Sequence, residues 1–317
     1  MVYTRKKRNN ALLKKVVLPK SFDLRNIVYK EPNKDDLAIG LVYFNANKSK
    51  RILMNYLYVV EKLKIANIPY YTMEVYSDIP DLKDAFHIKT NFILFQKEHL
   101  CHLLEKRIPN KYTKIAFIDG DIVFDNPNWY NELSRKLDTF NIVQAFKKFI
   151  RLDITYSKIL DETLAFIFRK EFGNVSHVKN TRLGFNPGGA WGFQRDWFKK
   201  IGFFQDDVIG ASDTYSALSW GITKDEYVYP EYIKKSIQEY KNKINKVPSS
   251  SYINTNIYHL WHGPIMNKYK TRKNIFKGIK DIKDVISTDS NGVYVLKDKV
   301  LQKKFTRYFN RRDDDGI

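Results

Sequence analysis

The stretch Ile115-Ala116-Phe117-Ile118-Asp119-Gly120-Asp121-Ile122-Val123-Phe124-Asp125 decides how the rest of the chain is read. An apolar run of strand type stops at two carboxylates and then resumes. A carboxylate buried without a partner costs several kcal/mol, so these two belong at a strand end, open to solvent or a ligand. Positions i and i+2 of an extended chain project to the same side. Gly120 between them adds no bulk against an approaching group. Two hard oxygen donors placed this way suit Mg²⁺ or Mn²⁺, above all where phosphate oxygens complete the coordination shell. Asp119 and Asp121 are therefore candidate metal ligands.

The chain has 317 residues, 43% of them apolar and 15% aromatic, enough to bury a core in one large α/β domain or two small ones. Such a composition excludes a disordered chain. The 55 basic and 35 acidic residues leave a net charge of +20, which favours anionic partners: nucleic acid, acidic lipid or phosphorylated small molecules. Arg5-Lys6-Lys7-Arg8, with Lys14 and Lys15, is the one dense cluster. It reads as a solvated basic tail or as a peripheral contact to an anionic membrane surface. The other basic residues are not interleaved with exposed aromatics along one stripe, so nucleic acid is not an expected partner. Cys101 is the only cysteine, which excludes an intramolecular disulfide and a cysteine zinc site. With no run of 18 apolar residues and no apolar N-terminal segment, the expectation is a soluble, cytoplasmic protein. Oligomeric state is not legible.

Working outward, residues 1–34 read as a basic tail or outer strap, 35–290 as one catalytic domain, and 291–317 as a C-terminal extension. Leu37 to Phe44 is a strand, followed by a polar loop from Asn45 to Arg51. Ile52, Tyr56, Val59 and Leu63 then fall at helical spacing, stopped by Asn67 and Pro69, and a second strand runs from Tyr70 to Tyr76. This unit predicts a right-handed parallel crossover whose first loop opens on the ligand side. Further helices are expected at 91–106, from Pro127 through Leu137, at 152–170, at 194–201, from about Thr214 to Trp220, and at 230–247. Strands are expected at 141–146 and 256–261. Four glycines between Gly184 and Gly192 point instead to a close approach of backbone to a ligand, followed by a short strand. Ser212 is the expected N-cap of the helix that starts near Asp213, while Asp206 and Asp207 are expected to face solvent.

The remaining chemistry-bearing residues lie downstream of the two acids. His259 and His262 are three apart, and on a continuous strand they face opposite sides. Both reach one metal only if the strand ends or bends between them; otherwise one is a ligand and the other structural. Neutral imidazole favours Mn²⁺ over Mg²⁺. Asp213, at a helix start behind a glycine-containing loop, is a candidate general base or simply a cap.

The ordered set IAFIDGDIVFDNP, NPGGAWGF, Gly210-Ala211-Ser212-Asp213 and HLWHGP, over roughly residues 36–275, resembles the GT-A-type nucleotide-sugar glycosyltransferases with a DxD motif. The resemblance implies a single Rossmann-like α/β domain with a mixed, mostly parallel central sheet flanked by helices. It implies Asp119 and Asp121 as the DxD pair, Asp121 being the direct metal ligand, with His262 or His259 completing the shell. Gly188, Gly189 and Trp191 fall where donor and acceptor sugars sit, and Asp213 at the inverting base. One acid of the Gly-Gly-Glu-Asp pattern of inverting galactosyltransferases is replaced here by Ser212. Asn45, Arg51 and Lys97 are the expected contacts to the nucleotide, and Tyr269 and Arg272 to its diphosphate. The implied activity is metal-dependent transfer of a hexosyl or pentosyl unit from a nucleoside-diphosphate sugar, UDP being preferred, to a saccharide or glycan hydroxyl. The competing reading is a basic nucleic-acid-binding protein or two-metal nuclease built on the same acid pair.

Overall fold

The computed structural model describes residues 23–172, 184–222, 227–264 and 275–316. In chain order the strands are β1 (Leu37–Phe44), β2 (Tyr70–Tyr76), β3 (Phe86–Lys89), β4 (Lys114–Ile118), β5 (Ile122–Phe124), β6 (Ile142–Gln144) and β7 (Lys148–Leu152). They continue with β8 (Ile159–Ala165), β9 (Phe185–Asn186), β10 (Ala190–Gln194), β11 (Ser250–Tyr252), β12 (Asn256–His259), β13 (Ile286–Thr288) and β14 (Tyr294–Leu296). The helices are α1 (Lys50–Ile65), α2 (Lys97–Glu105), α3 (Trp129–Leu137), α4 (Arg195–Lys200), α5 (Ser212–Ser219), α6 (Lys234–Asn242) and α7 (Lys299–Asn310).

The main sheet has the order β11-β6-β10-β4-β1-β2-β3. All its pairs are parallel except those of β10, which runs antiparallel to β4 and to β6. The expected α/β class, with a mixed and mostly parallel central sheet flanked by helices, is what the chain adopts. β1 and β4 are near-continuous apolar runs because helices cover both faces of the sheet at its centre. One core gathers Leu100, Leu104, Phe117, Phe193, Phe198 and Trp220. The other gathers Leu37, Leu41, Tyr56, Val59, Leu63, Leu133 and Leu137. Each large apolar side chain so buried stabilises the fold by about 1.5–3 kcal/mol. Gly40 on β1 leaves room for the Phe117 ring of β4, since a Cβ there would lie 2.7 Å from it.

A second sheet, β5-β12-β7-β8-β9, adjoins the first. The chain passes from the main sheet to the second at β4 and β5, and only Asp119, Gly120 and Asp121 separate these strands. The two acids therefore sit on the seam between the sheets.

Several local expectations change. Residues 152–170, expected as a helix, form β8 and a 3₁₀ turn, because β8 finds an antiparallel partner in β7. The helix expected over 91–106 starts only at Lys97, and β3 occupies part of the loop before it. Helix α5 is capped by Ala211, not Ser212, whose hydroxyl donates to the Asp207 carbonyl at 3.1 Å. Asp207 is fully buried rather than solvent-facing, accepting from Ala211 N at 2.7 Å and Tyr232 Oη at 3.2 Å. Of the N-terminal strap, the described part packs down: Tyr29 is buried against Phe124 and Trp129, its hydroxyl accepting from Phe124 N at 3.0 Å. Residues 291–316 join the main core through Val293, Leu296, Leu301 and Phe305. The basic cluster at Arg5–Arg8, and Tyr269 and Arg272, lie outside the described residues. No helix among the described residues is long and apolar enough to cross a membrane.

Candidate active site

The seam fixes the site through its backbone. Asp119 N donates to Gly189 O at 2.8 Å, and Leu260 N donates to Asp121 O at 2.7 Å. The first acid is thereby tied to the glycine-rich segment before β10, and the second to the His259–His262 segment after β12. The chain turns at Gly120, where a Cβ would come within 3.1 Å of the Tyr56 ring. The carboxylates consequently have different partners, instead of sharing one as an extended chain would allow.

Asp119 receives Lys97 Nζ at 2.9 Å, and the same ammonium lies 3.5 Å from Glu98 Oε1. Burial pushes the Asp119 carboxyl up, with Lys97 opposing. Burial alone would lower Lys97, but Asp119, Glu98 and Asp213 outweigh it and hold the ammonium well above its ordinary range. Glu98 is buried, its Oε2 has no hydrogen-bond partner, and burial pushes its carboxyl up to about 7. Beside this group, Asp213 in the first turn of α5 accepts from Thr214 N through Oδ1 at 2.6 Å. Its Oδ2 reaches over Gly188, where an added Cβ would lie 2.5 Å away. Gly189 adopts a φ of +93° and packs on Phe149 and Ile257.

Asp121 belongs to a different cluster. Its Oδ2 lies 2.9 Å from His262 Nε2 and 3.4 Å from His259 Nε2. One ligand atom from each of Asp121, His259 and His262 can be chosen so that all lie within 4.8 Å of one another. Strand β12 ends at His259 and Gly263 turns with a φ of +94°, which answers the spacing problem: both imidazoles come to the same carboxylate. One oxygen and two borderline nitrogens, on one wall of an open cleft, fit a divalent cation of Mn²⁺ type, with positions left for oxygens of a ligand. Asp119 stands outside this donor cluster, held by Lys97.

Both halves line one cleft of about 250 Å³, together with Glu98, Arg151, Asn186, Gly188, Gly189, Tyr308 and Arg312. Lys97, Asp119, Asp121, Gly188, Gly189, Asp213, His259 and His262 are thus brought together as the sequence suggested. Asn45, Arg51 and Trp191 are not on the wall of that cleft. The Asn45 amide shapes its own loop, with Nδ2 donating to Ser49 O at 2.9 Å and to Asp81 Oδ2 at 3.0 Å. Arg51 is turned toward Tyr156 and Trp261. Trp191 is buried beneath the floor, its indole N–H donating to Pro187 O at 2.7 Å, and reaches only a small inner hollow of about 20 Å³. In the same loop as Asn45, Lys48 pairs with Asp81 at 2.8 Å. Sequence reasoning missed Glu98, Arg151 and Arg312. The only signal for Glu98 was its place beside Lys97, and the other two lie in a strand and a charged terminus that read as ordinary surface.

No protein-family model matches the sequence, and no curated protein matches it. Solved structures are similar in shape. One is the catalytic domain of Drosophila β1,4-galactosyltransferase 7, solved with xylobiose and, as a variant, with manganese, UDP-Gal and xylobiose. It has 12% identity, covers 73% of this chain and 97% of its own, and gives a TM-score of 0.34. Another is glucosyl-3-phosphoglycerate synthase from Mycobacterium tuberculosis with Mn²⁺, UDP and phosphoglyceric acid. It has 10% identity, covers 82% of this chain and 86% of its own, and gives a TM-score of 0.39.

Proposed function

We propose that this protein is a metal-dependent glycosyltransferase that moves a sugar from a nucleoside-diphosphate donor to an acceptor hydroxyl. One observation carries the reading. The Asp121/His259/His262 cluster and the Asp119–Lys97 pair meet in one cleft, over a Gly188–Gly189 floor with Asp213 above Gly188. A nuclease built on the two acids would need them to share the cation site, and Asp119 is engaged by Lys97 instead.

In this reading Asp121, His259 and His262 hold the divalent cation. When bound, the cation supplies charge stabilisation to the departing diphosphate. Lys97, kept protonated by the carboxylates around it, holds Asp119 in place and adds a fixed positive charge beside the donor. The bare backbone of Gly188 and Gly189 lets a sugar ring lie against the floor. Asp213 Oδ2, aimed over Gly188, takes the proton from the acceptor hydroxyl as that oxygen attacks the anomeric carbon from the face opposite the diphosphate. The attack inverts the anomeric centre. The preferred nucleotide is UDP, and the acceptor is a saccharide or glycan hydroxyl.

The test is a panel of nucleotide sugars with Mn²⁺, scored by release of the nucleoside diphosphate and by thermal stabilisation with UDP or GDP. Turnover and nucleotide stabilisation should both require the metal. Full turnover in excess chelator would remove the metal from the reading, and salt-dependent DNA binding or cleavage would favour the nuclease.

A further inference from the structure

The C-terminal segment turns back onto the cation cluster. Helix α7 buries Leu301, Phe305, Tyr308 and Phe309, and the residues after it cross to the cleft mouth. Asn47 Nδ2 donates to Phe309 O at 2.7 Å. Asp315 Oδ1 accepts from Ser49 Oγ at 2.6 Å and from Arg51 N at 2.9 Å, so this carboxylate caps the start of α1. The turn at Gly263 has no room for a side chain, because a Cβ there would lie 2.3 Å from Asp313 O. Between these anchors lies Asp314, only 4% exposed. Its Oδ1 accepts from Arg312 Nη2 at 2.9 Å and lies 3.8 Å from His262 Nδ1. The other nitrogen of that imidazole, Nε2, is the one beside Asp121.

We infer that Asp314 is a positioning residue for the cation site, bracing His262 from behind so that Nδ1 carries the proton and Nε2 keeps its lone pair for the metal. A ligating histidine is commonly oriented in this way by a carboxylate on its second nitrogen, and loss of that partner weakens metal binding by about 10–100-fold. Arg312 holds the Asp314 carboxylate in place through its Nε and Nη2 while its own guanidinium lines the cleft. The C-terminal segment is on this account part of the donor site, and the ties at Asn47, Ser49 and Arg51 join it to the loop after β1. The inference rests on the proposed reading that Asp121, His259 and His262 hold a divalent cation.

The experiment is Mn²⁺ binding by titration calorimetry or electron paramagnetic resonance, on the unmodified chain, Asp314→Asn, His262→Ala and the double variant. Each is checked by thermal melting. Asp314→Asn should weaken Mn²⁺ about 10–100-fold. In the His262→Ala background the same change should move affinity by less than about twofold, since a brace has nothing left to hold. Equal weakening in both backgrounds, or none in either with the fold intact, overturns the inference. Selective histidine labelling of the unmodified chain gives a second reading that needs no variant. With diamagnetic Zn²⁺ bound in place of Mn²⁺, nitrogen-15 shifts should report His262 protonated at Nδ1, and a proton on Nε2 in that loaded form overturns the inference. Absence of Mn²⁺ binding by the unmodified chain would overturn the cation reading itself, and this inference with it.

Discussion

Asp119 and Asp121 stand two residues apart, yet their surroundings are built from different parts of the chain. Asp119 faces partners on helices: Lys97 and Glu98 open α2, and Asp213 lies in the first turn of α5. Asp121 faces partners at a strand end and in the C-terminal segment: His259, His262 and, behind them, Asp314. The first half sets one cation among three carboxylates, with Lys97 and the carboxyls of Glu98 and Asp119 all displaced upward. The second half gathers two imidazoles and one carboxylate oxygen. Spacing in the sequence therefore did not give the acids shared partners. The turn at Gly120 separated a half suited to holding charge and protons from a half suited to holding a cation.

The comparison breaks most completely at Asp121. Asp121→Asn should abolish transfer and Mn²⁺-dependent nucleotide binding with no loss of fold, as calorimetry and diphosphate release would show. Retained activity would mean that the Asp121 half does not hold a cation that the reaction needs. Asp213→Asn tests the other half, and should lower kcat by about 10²–10⁴-fold while Mn²⁺ and nucleotide binding persist. If nucleotide binding disappears along with turnover, Asp213 is a structural cap of α5. The two variants should thus separate binding from chemistry along the same line that separates the carboxylates.

Much of this division was unreadable in advance, for a physical reason. Strands β1 and β2 and helix α1 were legible because long apolar runs and 3.6-residue spacing report burial directly. Asp121, His259, His262 and Asp213 were legible as residue types suited to their chemistry. Strand β8 was not, because its sequence ILDETLA carries helix formers, and only its partner β7 decides the matter. The resemblance put Trp191 where donor and acceptor sugars sit, but its neighbours Trp220 and Pro187 bury it. The roles of Glu98, Arg312 and Asp314 depend on elements that meet only after folding, so no local spacing could show them. Lone charged residues in a helix and near a terminus look like solvated surface until the fold closes over them.

A milder change tests how closely the two walls of the Asp119 half fit. Gly188→Ala would place a methyl 2.5 Å from Asp213 Oδ2, and one or the other must shift. A displaced base should lower kcat by about 10-fold, since misplacing a reacting group by a fraction of an ångström already costs much of its advantage. Mn²⁺ affinity, set by the other half, should stay unchanged. Steady-state kinetics beside a Mn²⁺ titration would decide this, and a matching loss of metal binding would show that the halves are mechanically coupled.

The smallest effect expected is on stability, and it separates the halves by pH. Glu98, beside Lys97, has a folded-state carboxyl pushed by burial from its ordinary value of 4.5 up to about 7. Between those values the folded chain binds more protons than the unfolded one, so stability falls as pH rises through that window and levels off above it. Glu98→Gln keeps the shape and removes the titration. Its melting temperature should match the unmodified chain most closely near pH 4.5 and gain on it toward pH 8, by on the order of 1–3 kcal/mol. Lys97 works against the gain, because its contact with ionised Glu98 is lost in the variant. An advantage that does not change with pH would mean that Lys97 keeps Glu98 ionised throughout. The Asp119 half would then be a fixed ion cluster with no proton to hold.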